Sequence, residues 1–200
     1  MKLYIIRHGQ TDWNVEGKIQ GRQDIPLNDM GRRQARALAD GMKSRPVASV
    51  YSSPQKRAME TAETLARAQG MAVIPVPELA EIGYGDWEGR TASDILAKER
   101  KLYEEWWQHP ATVAPPGGET LNQVDVRCKK AWERIKGEMK GDTAVVAHGG
   151  TLAHFIVHLL EGQPDAAEIL VGNASITTIE YDPVTGQCSL AGLNDCSHLM

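Results

Sequence analysis

The sequence predicts an α/β fold, a three-layer sandwich whose mostly parallel central sheet is flanked by helices and carries a cap-like insertion. Two observations support this prediction. Short apolar runs that suit buried strands alternate with longer segments whose apolar residues recur at helical spacing, the order that builds parallel sheets. Two of the runs, at residues 3–6 and 143–147, break abruptly into Arg7-His8-Gly9 and His148-Gly149-Gly150. Strand ends that turn on glycine are where such sheets place ligand sites. At 200 residues the chain has the length of one domain with a full core. The reading is therefore a single domain over 1–200 with an insertion at about 78–118.

Each element has its own local reason. The first strand is followed by a polar loop over 20–26, and Asn28 suits the N-cap of a helix over 29–43, with Ala35, Leu38, Ala39 and Met42 on one face. Residues 48–51 read as a second strand. Ser53 is expected to cap the next helix with Pro54 at its first position, and Gly70 to end it just past Gln69. Residues 71–76 make a third strand. The segment 78–118, rich in Gly, Pro and Trp, is irregular apart from a helical section near 91–107, and is expected to lie over the site. Residues 119–139 form a strongly amphipathic helix with Leu121, Val124, Cys128, Ala131, Trp132 and Ile135 on one side. The strand at 143–147 precedes a helix from about 151 to 160. Residues 175–181 and 187–193 alternate around Asp182-Pro183-Val184-Thr185-Gly186, a hairpin at the sheet edge.

Composition narrows the function. A net charge of −4 without a basic stripe argues against a general nucleic-acid binder, but leaves room for an anionic small molecule in a locally positive pocket. Cys128, Cys188 and Cys196 are few and lack metal-ligand spacing, which reads as free thiols in a reducing compartment. Arg7 and His8 interrupt the N-terminal apolar run, so no signal peptide is expected, and the apolar stretch near 155–160 is too short to span a bilayer. The expected location is cytoplasmic, with neither membrane nor nucleic acid as partner; the oligomeric state is left open.

The motifs point to phosphate. Phosphoryl transfer needs positioning and charge stabilisation around three oxygens, and a guanidinium supplies paired donors with a permanent charge. Arg7 stands at the first strand end, and Arg57 lies one turn into the helix after the second. His148 precedes Gly149 and Gly150, whose backbone suits close approach to an anion at a helix N-terminus. These segments are scattered in sequence yet all fall at carboxyl ends of predicted strands. His154 and His158 stand four apart on a helix, but Phe155, Ile156 and Val157 between them favour packing over metal binding. Trp87, Trp106 and Trp107 suit cap packing at least as well as a substrate pocket. Glu119 either lies near the pocket or begins the long helix at its positive end, and is left outside the candidate site.

Together, Arg7-His8-Gly9-Gln10-Thr11 with Trp13-Asn14, Ser52-Ser53-Pro54 through Arg57, Glu81-Ile82-Gly83-Tyr84-Gly85-Asp86-Trp87-Glu88-Gly89, Pro116-Gly117-Gly118-Glu119-Thr120 and His148-Gly149-Gly150 resemble, in order, the motifs of the histidine phosphatase (phosphoglycerate mutase-like) superfamily. The resemblance covers nearly the whole chain. It implies that His8 is the nucleophile that becomes phosphorylated, that Arg7, Arg57 and His148 bind the phosphate and supply positive charge, and that Asn14, Gln20 and Gly149 support it. It implies that Glu81, rather than the neighbouring Glu78 or Glu88, protonates the leaving alkoxide and then assists water. Glu81 must then start protonated, giving a pH optimum on the acid side of neutrality. The expected substrate is a small phosphorylated metabolite, with no metal and no cofactor.

Within that family the chain is similar to the phosphatase branch, including broad-specificity and α-ribazole phosphatases. The chain is short, Gly85-Asp86-Trp87-Glu88-Gly89 lacks the arginine that follows the acid in mutase-like forms, and Gly150 stands where those have asparagine. The tail at 194–199 also resembles that of the α-ribazole group. The rivals are a phosphoglycerate mutase and a non-catalytic phospho-ligand sensor.

Overall fold

The computed structural model describes residues 1–162 and 165–200. Among them six strands form one sheet in the order β3-β2-β4-β1-β5-β6. β1 (Lys2–Arg7), β4 (Thr143–Ala147), β2 (Ser49–Ser52) and β3 (Val73–Pro75) run parallel, while β5 (Ile176–Tyr181) and β6 (Cys188–Asp195) make an antiparallel edge. The hairpin expected at the sheet edge is this β5–β6 pair.

The apolar runs of β1 and β4 are continuous because both faces of these strands are covered. Leu3, Ile5, Val145 and Ala147 pack with α5 (Leu121–Glu138) and α6 (Gly149–Leu159) on one side. Tyr4, Ile6, Ala144 and Val146 pack with α2 (Asp29–Gly41) and α3 (Lys56–Ala68) on the other. Successive side chains along a strand thus serve opposite cores, which gives the three layers.

The helix starts follow side-chain chemistry. Asn28 caps α2 by accepting from the Gly31 N–H, and Thr120 with Gln123 forms a capping box at α5. α3 departs from expectation: its N-cap is Gln55, and Lys56 is the first helical residue. The Ser53 hydroxyl is engaged elsewhere, with His148 at 2.8 Å and the Gln55 N–H at 3.3 Å. α6 begins at Gly149, two residues earlier than expected. Pro75 fits the shortness of β3, an edge strand that needs no further donor on its outer side.

Between β3 and α5 the chain folds over the carboxyl end of the sheet through two single 3-10 turns and α4 (Ala92–Gln108), which kinks at Glu99. Glu99 accepts from Trp87 Nε1 at 3.0 Å and pairs with Arg90, which also binds Asp94 at 2.7 Å. These bonds fasten α4 to the Trp87 turn. No helix among the described residues is long and apolar enough to cross a membrane.

Candidate active site

Ladder register brings three separate sequence motifs together. Arg7 pairs with Ala147, and Ser52 with Val146. One residue further on, the His8 N–H donates to Ala147 O at 2.9 Å and the Ser53 N–H to Val146 O at 3.0 Å. His8, Ser53 and His148 therefore leave three adjacent strands at one level. The His8 and His148 rings lie 5.2 Å apart, centre to centre, and both are buried.

Hydrogen bonds define the state of each ring. His8 Nδ1 lies 2.6 Å from Gly9 O. A carbonyl only accepts, so Nδ1 carries the proton and Nε2 holds the lone pair. Burial, then the nearby Arg7 and Arg57 charges, push the His8 pKa well below its ordinary value. His148 Nδ1 accepts from Arg57 Nε at 3.1 Å, so its Nε2–H donates to Ser53 Oγ at 2.8 Å. Its pKa is likewise driven well down, by burial first and then by Arg57. The expectation that His148 supplies positive charge is thus corrected: the ring is held neutral, and it serves as an N–H donor.

The charge resides in two guanidiniums, that of Arg57 fully buried and that of Arg7 partly buried. Arg7 Nη1 donates to Val171 O at 2.7 Å, while its Nε is buried without a protein partner. An orphaned cationic donor of this kind suits an anion. The α6 N-terminus lies against that cation: a Cβ at Gly149 would stand in ordinary contact, 3.4 Å from the Arg7 guanidinium. Arg57 donates through Nη1 to Gln23 O at 2.7 Å and through Nη2 to Gly21 O at 2.9 Å, tying down the polar loop. Burial lowers both arginine pKa values, and the Glu81 carboxylate opposes this in each case.

Glu81 is the carboxylate that reaches α6. Its Oε1 accepts from Ile82 N at 2.9 Å and Thr151 N at 3.0 Å, and Thr151 Oγ1, whose proton goes to Ala80 O, lies 3.1 Å away. Oε2 has only a long contact from Gly150 N at 3.4 Å, which makes it the oxygen free to exchange a proton. Glu88 instead accepts from Arg22 N and Tyr84 N and pins loops. Glu78 contributes its backbone carbonyl to Arg127.

Asn14 and Gln20 sit at the rim. Asn14 Oδ1 accepts from Thr11 N at 3.0 Å and Asn173 Nδ2 at 3.3 Å, and Gln20 Oε1 from Thr11 Oγ1 at 3.0 Å. With their oxygens engaged, the amide nitrogens are the ends of these two side chains left to donate.

Several contributors escaped sequence reasoning. Ser53 reads as a cap and is a partner of His148. Arg127 belongs to none of the sequence motifs, yet it donates to Ala80 O at 2.6 Å, Glu78 O at 2.8 Å and Thr151 Oγ1 at 3.3 Å. Glu119, left outside the site, accepts from Gly83 N at 2.7 Å and pairs with Arg127 at 3.1 Å and Arg22 at 3.0 Å. The only signal for it was its place beside the glycines at 117–118. His154 packs as a helix residue bonded to Asp125 at 2.6 Å, and no group of metal-ligating side chains occurs among the described residues. A cavity of about 720 Å³ lies at the opposite end of the strands beside Met1, Asp142 and Tyr181, remote from this chemistry.

Residues 3–195 match the profile of the histidine phosphatase superfamily (branch 1), and the chain belongs to that family. It is an enzyme, a histidine phosphatase of the hydrolase type. A metal-independent phosphoserine phosphatase of Arabidopsis thaliana is 36% identical over 183 residues, spanning 89% of this chain and 75% of that one. The crystal structure of the α-ribazole phosphatase from Shigella flexneri matches with a TM-score of 0.87 at 27% identity, covering 98% of this chain and 96% of that one. A phosphoserine phosphatase from Entamoeba histolytica, in complex with phosphoserine, matches with a TM-score of 0.86 at 29% identity, over 100% and 99% of the two chains.

Proposed function

We propose that this chain hydrolyses small phosphomonoesters through a covalent phosphohistidine at His8. The observation that carries the reading is a neutral histidine, fixed with its Nε2 lone pair free, close to the Arg7 and Arg57 guanidiniums and beside a second buried histidine. In the first step the His8 Nε2 lone pair attacks phosphorus and the ester P–O bond breaks. The departing alkoxide takes a proton from Glu81 Oε2 and leaves as the alcohol. In the second step Glu81, now ionised, removes a proton from water, whose oxygen attacks phosphorus. The P–N bond breaks, inorganic phosphate leaves, and His8 is restored.

Arg7 and Arg57 balance the charge on the transferring oxygens, with Asn14, Gln20, the His148 Nε2–H and the N–H groups at the Gly149 end of α6 as further donors. Two permanent cations supply what a divalent metal would, so no metal enters these steps. Segment 78–118 acts as a cap on one domain spanning 1–200, and the three unpaired cysteines suit a reducing cytoplasm.

The test is phosphate release from para-nitrophenyl phosphate in EDTA, with wild type and His8→Ala compared. Turnover by wild type and a loss of at least about 10³-fold in the variant are expected for a covalent nucleophile. Equal turnover by the two proteins would overturn the reading.

A further inference from the structure

A second chamber adjoins Glu81. A cavity of about 460 Å³ has Ile82 and Gly150 in its wall, and these two residues also present their N–H groups to the Glu81 carboxylate. Its insertion side carries Tyr84, Trp106 and Trp107, and its α6 side Ala153. Tyr84 meets Trp106 edge-on at 6.2 Å, and Trp106 meets Trp107 at 5.9 Å. The Tyr84 hydroxyl is pushed up by burial and further by the Glu81 carboxylate, so this ring stands in the field of the acid.

The direction of the reaction gives the chamber its use. In an in-line displacement the leaving oxygen departs opposite the His8 nitrogen, and Glu81 must reach that oxygen to protonate it. The carbon skeleton behind the oxygen therefore lies on the Glu81 side, where the aromatic chamber shares the Ile82 and Gly150 wall. No lysine or arginine occurs among the described residues that line it. The neighbouring cations, Arg22 and Arg127, are both paired with Glu119. A carboxylate on the leaving group would meet aromatic faces and the Asp165 carboxylate, and the one histidine in the lining, His154, is already bonded to Asp125. The volume falls within the range of roughly 300–1,000 Å³ usual for small-molecule sites.

Building on the hydrolysis proposed above, we infer that the substrates are phosphomonoesters of alcohols bearing an aromatic group, which stacks between Trp106, Trp107 and the Ala153 face of α6. Phosphorylated amino acids and hydroxy acids are then poor substrates, although phosphoserine phosphatases stand among the similar proteins.

The test compares kcat/KM for 2-phenylethyl phosphate, ethyl phosphate and O-phosphoserine. All three are alkyl esters, so leaving-group chemistry does not decide the order. The phenylethyl ester should exceed both others by more than about tenfold, the discrimination that a hydrophobic pocket gives for a few carbon atoms. Trp107→Ala removes part of the wall, and Ala153→Leu fills the chamber from the helix; each should reduce that ratio towards one while the protein still melts cooperatively. Hydrolysis of all three esters without preference, or a preference for phosphoserine, would overturn the substrate assignment and leave the hydrolase reading standing. Hydrolysis of none would overturn both.

Discussion

The site has a floor and a wall, and they are built by different means. The floor lies at the carboxyl ends of β1, β2 and β4, where His8, Ser53 and His148 are placed by ladder register and held largely through backbone groups. The wall belongs to segment 78–118, where Trp87, Arg90, Asp94 and Glu99 fasten α4 through their side chains. The floor leaves little freedom, because shifting one residue means breaking a parallel ladder. The wall can exchange side chains without disturbing the sheet. Under the proposed mechanism, one scaffold can therefore keep its phosphoryl chemistry constant while the leaving-group side varies.

Glu81 joins the two regions, and its replacement is the sharpest way to separate them. Glu81→Gln keeps shape and acceptor oxygen but removes the exchangeable proton. We expect kcat to fall by about 10²–10⁴-fold for unactivated alkyl esters, the usual range for a general acid, and by less for para-nitrophenyl phosphate, whose leaving group needs little protonation. An equal loss on both would assign Glu81 to the floor's charge balance instead of to the acid role.

The difference between floor and wall also explains what the sequence revealed. Strand runs such as Leu3-Tyr4-Ile5-Ile6 are buried on both faces, and their abrupt stops at Arg7-His8-Gly9 and His148-Gly149 mark the floor with residue types alone. Arg57 was legible because its place one turn after a strand end aims it back at the sheet. Ser53 misled because a serine before proline has two uses, and the choice between helix cap and histidine partner depends on β4, some 95 residues away. Arg127 carries no local signal at all, and Glu119 only its place after the glycines at 117–118. Their roles exist only where α5 crosses beneath the segment that holds Glu81.

Arg127 is accordingly a test of how far the acid depends on its support. Its guanidinium binds the carbonyls of Glu78 and Ala80 and the Thr151 hydroxyl, and Thr151 in turn donates to Ala80 O at 2.8 Å. Arg127→Met removes three donors at once and frees the Glu81 segment. A misplacement of about 1 Å at a reacting group can cost on the order of 10²-fold, so a kcat loss of roughly 10–100-fold with little change in KM is expected. Arg127→Lys should recover part of it. A change confined to melting temperature would mean that Arg127 supports the fold and not the acid.

The floor should also be the acid-sensitive part of the molecule. His8 and His148 have pKa values well below 6.5 in the folded protein, through burial and the adjoining arginines, whereas unfolded histidines titrate near 6.5. From pH 6.5 down to those lowered values the unfolded chain binds more protons, so stability falls as the pH falls. Each histidine contributes a slope of up to about 1.4 kcal/mol per pH unit in that window. Because His8 stays neutral there, catalysis should persist below pH 6.5 while the melting temperature declines. His148→Gln removes one titration and should flatten the decline; an unchanged slope would place the acid sensitivity elsewhere.

The smallest expected effect lies in the wall, where two tryptophans of the same segment should part company. Trp87 is 0% exposed and bonded to Glu99, whereas Trp107 is 69% exposed. Removing a buried aromatic costs about 3–5 kcal/mol through lost burial and the cavity left behind. Trp107→Ala loses little that folding had sheltered, and a change within about 0.5–1 kcal/mol is expected for such an exposed site. A large exposed indole that the fold does not need is kept at the mouth of a cavity adjoining the acid. If thermal denaturation instead showed Trp107→Ala to be as destabilising as Trp87→Ala, the wall would be part of the core, and the separation between a fixed floor and an exchangeable wall would fail.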